Sequence, residues 1–181
     1  MSGPLRSLGR CGFGECVHIV YLDDSKQEKN KNRFQVIGAV IVKDEIFDDL
    51  EQHFGYTLHE VAERHVTGGF EEFHASALLA GSKPFEDVER EEAQLILSTA
   101  IEAVSAMEIP VVYGAVDLGK LSATNYATAD PIDISFRICV RLIEEWFQTN
   151  EHNGLGLLIS DESSNHKIKN AMQNAFHLFR N

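Results

Sequence analysis

Residues 155–161 read LGLLISD. The apolar positions run consecutively instead of alternating, and the run closes on Asp161. A strand that is apolar on both sides is covered on both faces, the situation of an interior strand in a parallel sheet. The stretch therefore reads as a central, parallel strand carrying a carboxylate just past its end. Asn153 and Gly154 punctuate the chain before it.

Working outward, residues 17–23 and 34–42 are β-branched and aromatic runs joined by a polar ten-residue link, which predicts an antiparallel hairpin. Asp44 is placed to cap a helix with Ile46, Phe47, Leu50 and Phe54 on one face. Gly55 is expected to interrupt that helix, and a second helical piece to follow through His65. From 86 to 107 the residues Ile96, Leu97, Ala100, Ile101, Ala103 and Val104 recur at helical spacing behind an acidic first turn. Pro110 ends this helix, and 111–117 reads as a strand. Asp130 and Pro131 are a cap and first-turn pair for a helix with Phe136, Val140, Ile143 and Phe147 on its inner face. Beyond Asp161, Ser163 or Ser164 is placed to cap a last helix bearing Ile168, Met172, Ala175, Phe176 and Phe179. A hairpin leading into alternating helices and strands implies an α/β fold, a mixed sheet with helices on its faces.

The chain has 181 residues, 44% hydrophobic and 24% charged, enough for one well-buried core. Residues 1–16 read as a loose tail and 17–181 as a single domain. The longest apolar runs fall short of the roughly 18 to 20 residues of a membrane-spanning helix, so no membrane association is expected. No signal-peptide run follows the N-terminus. Three cysteines, Cys11, Cys16 and Cys139, make no disulfide framework, which fits a reducing cytoplasm. Cys11 and Cys16 with His18 lack a second pair at finger-like spacing, so zinc is not expected there. Cys139 falls inside an apolar helix, where packing is its expected role.

A formal charge of −12 opposes binding to bare phosphate backbone. It does not oppose a nuclease whose acids are gathered in a metal site, because the ion offsets them. Lys26, Lys29, Lys31 and Arg33 form a local basic cluster, best read as a solvated hairpin tip.

Three acidic groups stand where the chain changes direction: Asp23 and Asp24 after the first strand, Glu71 and Glu72 in GGFEEFHASALLAG, and Asp161 and Glu162 after the last strand. Ligands of open α/β sheets gather at the carboxyl ends of strands, so Asp23 and Asp161 share an edge if their strands are parallel neighbours. Two carboxylates about 4 Å apart repel by about 4 kcal/mol at an effective dielectric near 20. A cation relieves that repulsion, and Mg2+ or Mn2+ suits oxygen donors. By strand alternation Asp23, on the side of Ile19 and Tyr21, is favoured over Asp24. An acid after a strand is also a common turn former, which is the plain alternative for each group. His74, two residues beyond Glu72, is placed to transfer a proton or bind metal. HEVAERH, 59–65, is not a zinc-protease motif, because its histidines do not share a helix face.

At these residues the chain resembles the domain of unknown function 3800 family, grouped with ribonuclease H-like folds. The segments are VYLDDS at 20–25, EFHASALLAG at 72–81 and LLISDE at 157–162. Their order agrees with the family's opening Asp-Glu-Ser strand, Glu-x-His segment and apolar strand ending in Asp. The resemblance implies a ribonuclease H-like mixed sheet flanked by helices, and a nuclease-type site of Asp23, Glu72 and Asp161, with Asp24 and His74 beside it. Asp24 replaces the family's usual Glu, Lys26 stands where it prefers Gly, and its C-terminal Gln-x-Ala-Asp helix has no counterpart, as in a short member, a fragment, or a member that has lost one acidic ligand.

The leading expectation is therefore metal-dependent phosphodiester hydrolysis, with Mg2+ or Mn2+ as cofactor and nucleic acid as substrate. Two ions about 3.5 to 4 Å apart would be held by Asp23, Glu72 and Asp161, with Asp24 near them and Asp117 in reserve; His74 would handle the proton. The alternatives are a non-catalytic interaction or homo-oligomerisation domain on the same fold, and a metal-dependent phosphatase of small phosphate esters, which tolerates the acidic surface better.

Overall fold

A computed structural model describes residues 17–24, 33–65, 73–150 and 154–160, with side chains throughout except at 57–65. The chain clusters into two compact units. One is built from Met1–Asp44 and Val111–Asn181, the other from Glu45–Pro110, inserted in sequence between two strands of the first.

The first unit holds a four-stranded mixed sheet in the order β3-β2-β1-β4. Strands β1 (Val17–Asp24) and β2 (Phe34–Lys43) form the expected antiparallel hairpin, with Val20 opposite Ile41 and Asp23 opposite Gly38. β3 (Val111–Asp117) adds antiparallel to β2, with Gly38 opposite Tyr113. β4 (Leu155–Ser160) lies parallel to β1, with Val17 opposite Leu155 and Leu22 opposite Ser160. The parallel pairing agrees with the sequence reading, but the central position does not. Among the described residues β4 pairs only with β1 and forms an edge of the sheet, where Leu155, Leu157 and Ile159 are exposed. A consecutive apolar run cannot distinguish a buried centre from an edge with uncovered hydrophobic side chains.

α5 (Pro131–Asn150) begins as predicted, Asp130 accepting at Oδ1 from the Ile132 N–H at 3.0 Å. Phe136, Cys139 and Ile143 on its inner face pack with Val20, Leu22, Ile37, Ala39 and Ile41 into the unit's core, and Val140 and Phe147 border it. His18 is fully buried on the same sheet face, edge-on to Trp146 and Phe147 with ring centroids 5.5 and 5.1 Å away. A short helix not anticipated from the sequence, α4 (Leu118–Leu121), follows β3 directly.

The second unit is helical. A 3-10 turn (Asp44–Ile46) leads into α1 (Phe47–His65), which runs unbroken through Gly55. A single interior glycine costs a helix only about 1 kcal/mol relative to alanine, too little to end one held by its half-buried face of Phe47, Leu50 and Phe54. Leu78 on α2 (Ala75–Ala80) packs with Phe85, Val88 and Ala93 into a separate small core, Ala93 lying on α3 (Arg90–Ala106). α3 starts later than the sequence suggested, because Phe85 and Val88 are buried from turns before it. Ile101, expected on its inner face, is 68% exposed and lies off the stripe of Ala93, Ile96, Leu97 and Ala103. No described helix is long and apolar enough to cross a membrane.

Candidate functional site

Asp23 occupies the carboxyl end of β1 on the sheet face opposite α5, as alternation predicted: His18, Val20 and Leu22 are buried, while Tyr21 and Asp23 are exposed. The Asp24 N–H donates to Asp23 Oδ1 at 2.8 Å, which fixes the carboxylate at the strand end. Across the sheet its partner is Gly38, where an added β-carbon would meet nothing within 4 Å. The side-chain position next to Asp23 is therefore open space. On the other side β4 runs parallel, Leu22 stands opposite Ser160, and the sequence continues into Asp161.

Asp161 and Glu72 lie outside the described residues, as do Glu71 and Glu162. His74 is exposed at the start of α2, where its carbonyl accepts from the Leu78 N–H at 3.0 Å. It belongs to the second unit.

Asp117 is not brought to Asp23. Gly38, the residue opposite Asp23, is paired on its far side with Tyr113, and Asp117 lies four residues further along β3. At about 3.3 Å per residue and about 4.8 Å per strand, the two residues are roughly 16 Å apart along the sheet, too far to share an ion. Both Asp117 oxygens are also engaged. Oδ1 accepts from the N–H groups of Gly119 and Lys120 at 3.0 and 3.2 Å, capping α4, and Oδ2 accepts from Arg33 Nη2 and Nε at 2.8 and 3.1 Å. The Arg33 hydrogen bond, with the α4 amides, holds this carboxyl below the usual carboxylate range, and the carboxylate in turn raises Arg33. Sequence reading missed this junction. Its signal was the Asp-Leu-Gly-Lys order, an acid followed at two and three residues by free amides.

Among the described residues no three His, Cys, Asp or Glu side chains gather to hold a metal ion. Asp23 and Asp24 supply hard oxygen donors of the kind Mg2+ and Mn2+ take, so their chemistry fits such an ion while their number alone does not complete a shell. Cys139 is fully buried between α5 and β3, and burial pushes its thiol up against the lowering effect of a hydrogen bond from the Gly114 backbone. It is a packing residue, as its apolar helix suggested. Comparison with protein-family models, curated proteins and solved structures returned no match to this chain.

Proposed function

We propose that the chain is a metal-dependent phosphodiester hydrolase on a ribonuclease H-like fold, a cytoplasmic protein with nucleic acid as its substrate. The observation that carries the reading is the parallel pairing of β1 with β4 at the strand ends, Leu22 opposite Ser160. In sequence Asp23 and Asp161 are the next residues after this pair, and the reading supposes that the pairing continues to them, giving the convergence of carboxylates such chemistry needs. The strand order, with an antiparallel hairpin, a third antiparallel strand and a fourth parallel to the first, supports the fold assignment.

In this reading Asp23 and Asp161 would hold the ion with Asp24 beside them, while Glu72 and His74, the other residues expected from the sequence, belong to the second unit. An ion held there would supply a water of lowered pKa and would offset charge on the phosphoryl oxygens. Asp23 is fixed by the Asp24 amide with its other oxygen directed to no described partner, and the open space over Gly38 leaves room for substrate beside it. Asp117 takes no part as a ligand; it fastens the end of β3 to Arg33.

The test is cleavage of single- and double-stranded DNA and RNA by the purified chain with Mg2+ or Mn2+. Asp23→Asn is expected to lower the rate at least about a hundredfold, since losing even an outer-shell partner of a metal costs 10- to 100-fold. Cleavage that persists in Asp23→Asn, or in the presence of chelator, would remove the proposal. Turnover of small phosphate esters without oligonucleotide cleavage would point to a phosphatase.

A further inference from the structure

Among the described residues β3 is an edge of the sheet and pairs with β2 alone. One contact fixes which of its backbone groups look outward. The Leu118 N–H donates to the Arg33 carbonyl at 2.9 Å, in the register that sets Phe34 opposite Asp117. Bonded and non-bonded residues alternate along an antiparallel pair, so Val112, Gly114 and Val116 turn their amides and carbonyls to β2, while Tyr113 and Ala115 turn theirs to the open edge. Proteins commonly guard such an edge with charges, a proline or a bulge. VVYGAV, 111–116, has neither charge nor proline, it follows β2 residue for residue, and Val111 and Tyr113 are 56% and 63% exposed.

The helix above the sheet is apolar on the same side. Ser135 and Cys139 of α5 sit on Gly114 of β3, and Phe147 on the other flank sits on Gly156 of β4. Ile138 and Leu142 follow Ser135 and Cys139 by three residues, which places them one step further round the helix, past the β3 edge. Ile138 is 39% exposed and Leu142 half-buried. A foreign extended segment would extend the sheet and leave this flank in water. A second copy of the chain covers strand and helix together.

We propose that the first unit pairs with a second copy of this chain, β3 against β3 about a two-fold axis through Gly114, with the two α5 flanks side by side. The strand suits that symmetry. With Gly114 at its centre, Tyr113 stands opposite Ala115 of the second copy, bulky against small, and Val111 stands opposite Asp117, which keeps the two Asp117 carboxylates at opposite ends of the pairing. The outward groups meet as bonded pairs in this register and make about eight hydrogen bonds, close to the roughly ten of a typical protein interface. This edge is two strands away from β1, and the pairing does not rest on metal chemistry at Asp23.

Sedimentation velocity of the full chain, joined to residue-resolved amide exchange, tests it at about 0.15 M salt, where a Debye length of about 8 Å screens the repulsion between two chains of charge −12. The expected result is a dimer that dissociates on dilution. The Tyr113 and Ala115 amides should exchange at least about tenfold faster in the diluted protein, while those of Val112, Gly114 and Val116, held by β2, keep their rates. Ala115→Pro removes an outward N–H and no bond to β2, so it should weaken the dimer at least about tenfold, one hydrogen bond being lost in each copy. Ile138→Glu on the α5 flank should weaken it as well, and it carries the test if the proline disturbs the strand, with far-UV circular dichroism reporting the fold. A monomer at every concentration would overturn the proposal. So would a dimer whose Tyr113 and Ala115 amides stay unprotected, or one that keeps its affinity in both variants.

Discussion

Gly114 of β3 rests directly on Ser135 of α5: a β-carbon at Gly114 would overlap the Ser135 carbonyl oxygen and stand 2.8 Å from the Cys139 amide nitrogen. Both obstacles are helix backbone, which cannot swing aside as a side-chain tip can. This contact lets α5 approach closely enough to drive Phe136 and Ile143 into the core of the first unit. Gly114→Ala is therefore expected to cost at least about 1 to 3 kcal/mol, the range for overpacking a tight core, read as a lower urea midpoint. Gly38→Ala on the neighbouring strand, with nothing within 4 Å of the new carbon, should be neutral or mildly stabilising. Equal losses at the two positions would contradict the close packing.

Two helix ends in the second unit make opposite predictions. After α2, Gly81 (φ 57°) closes the helix through bonds from the Gly81 N–H to Leu78 O and the Ser82 N–H to Ala77 O. After α3, Glu108 (φ 53°) does the same work, with its N–H on Ser105 O and the Ile109 N–H on Val104 O. A left-handed conformation costs a residue with a β-carbon about 1 kcal/mol that glycine avoids. Glu108→Gly should accordingly stabilise the protein by about 1 kcal/mol and Gly81→Ala destabilise it by a similar amount, measured by thermal or urea unfolding. A destabilising Glu108→Gly would show that the glutamate side chain contributes more than its backbone strain removes.

The Arg33–Asp117 pair gives a pH signature. Asp117 is held below its ordinary range in the folded chain, chiefly by the Arg33 hydrogen bond. The folded protein therefore binds this proton less readily than the unfolded chain. Its contribution is fully present above the unfolded carboxyl pKa of about 3.9 and is lost as pH falls through the lower folded value. Asp117→Asn keeps a side chain able to cap α4 while removing the charge. The variant should lose stability less steeply than the parent below about pH 4, and added salt should narrow the difference, because Arg33 is largely exposed. Parallel pH profiles for the two proteins would show that the pair carries no linkage.

Gly55 offers a simple check on α1. It sits in the helix interior with open space where a β-carbon would go. Gly55→Ala should raise stability by about 0.5 to 1 kcal/mol and increase helical circular dichroism if anything. A loss would mean that the helix is bent or hinged there.

Local chemistry was legible wherever one element determines its own ends. The hairpin strands, the Asp130–Pro131 start of α5 and the strand at 111–117 followed from residue patterns whose physics is short-range. Misreadings arose where tertiary packing decides. Gly55 was read as a break because propensity was weighed without the half-buried face that holds α1 together. LGLLIS was read as central because an apolar run cannot show whether a sheet continues beyond it. Asp117 was read as a spare ligand because register across three strands, not position at a strand end, determines which carboxylates meet. For the candidate site, sequence alternation placed Asp23 on the side of Ile19 and Tyr21, which the structure shows to be the face opposite α5, and β4 proved parallel to β1 as the idea required.

The central claim is that Asp23 and Asp161 hold one divalent ion at the carboxyl edge of β1 and β4. Titrating the full chain with Mn2+, read by electron paramagnetic resonance of the free ion, tests it without depending on any substrate. The account predicts binding by the parent, weakened at least about tenfold in both Asp23→Asn and Asp161→Asn and unchanged in Asp117→Asn. Binding that is absent in the parent, or equally tight in Asp23→Asn, would contradict it.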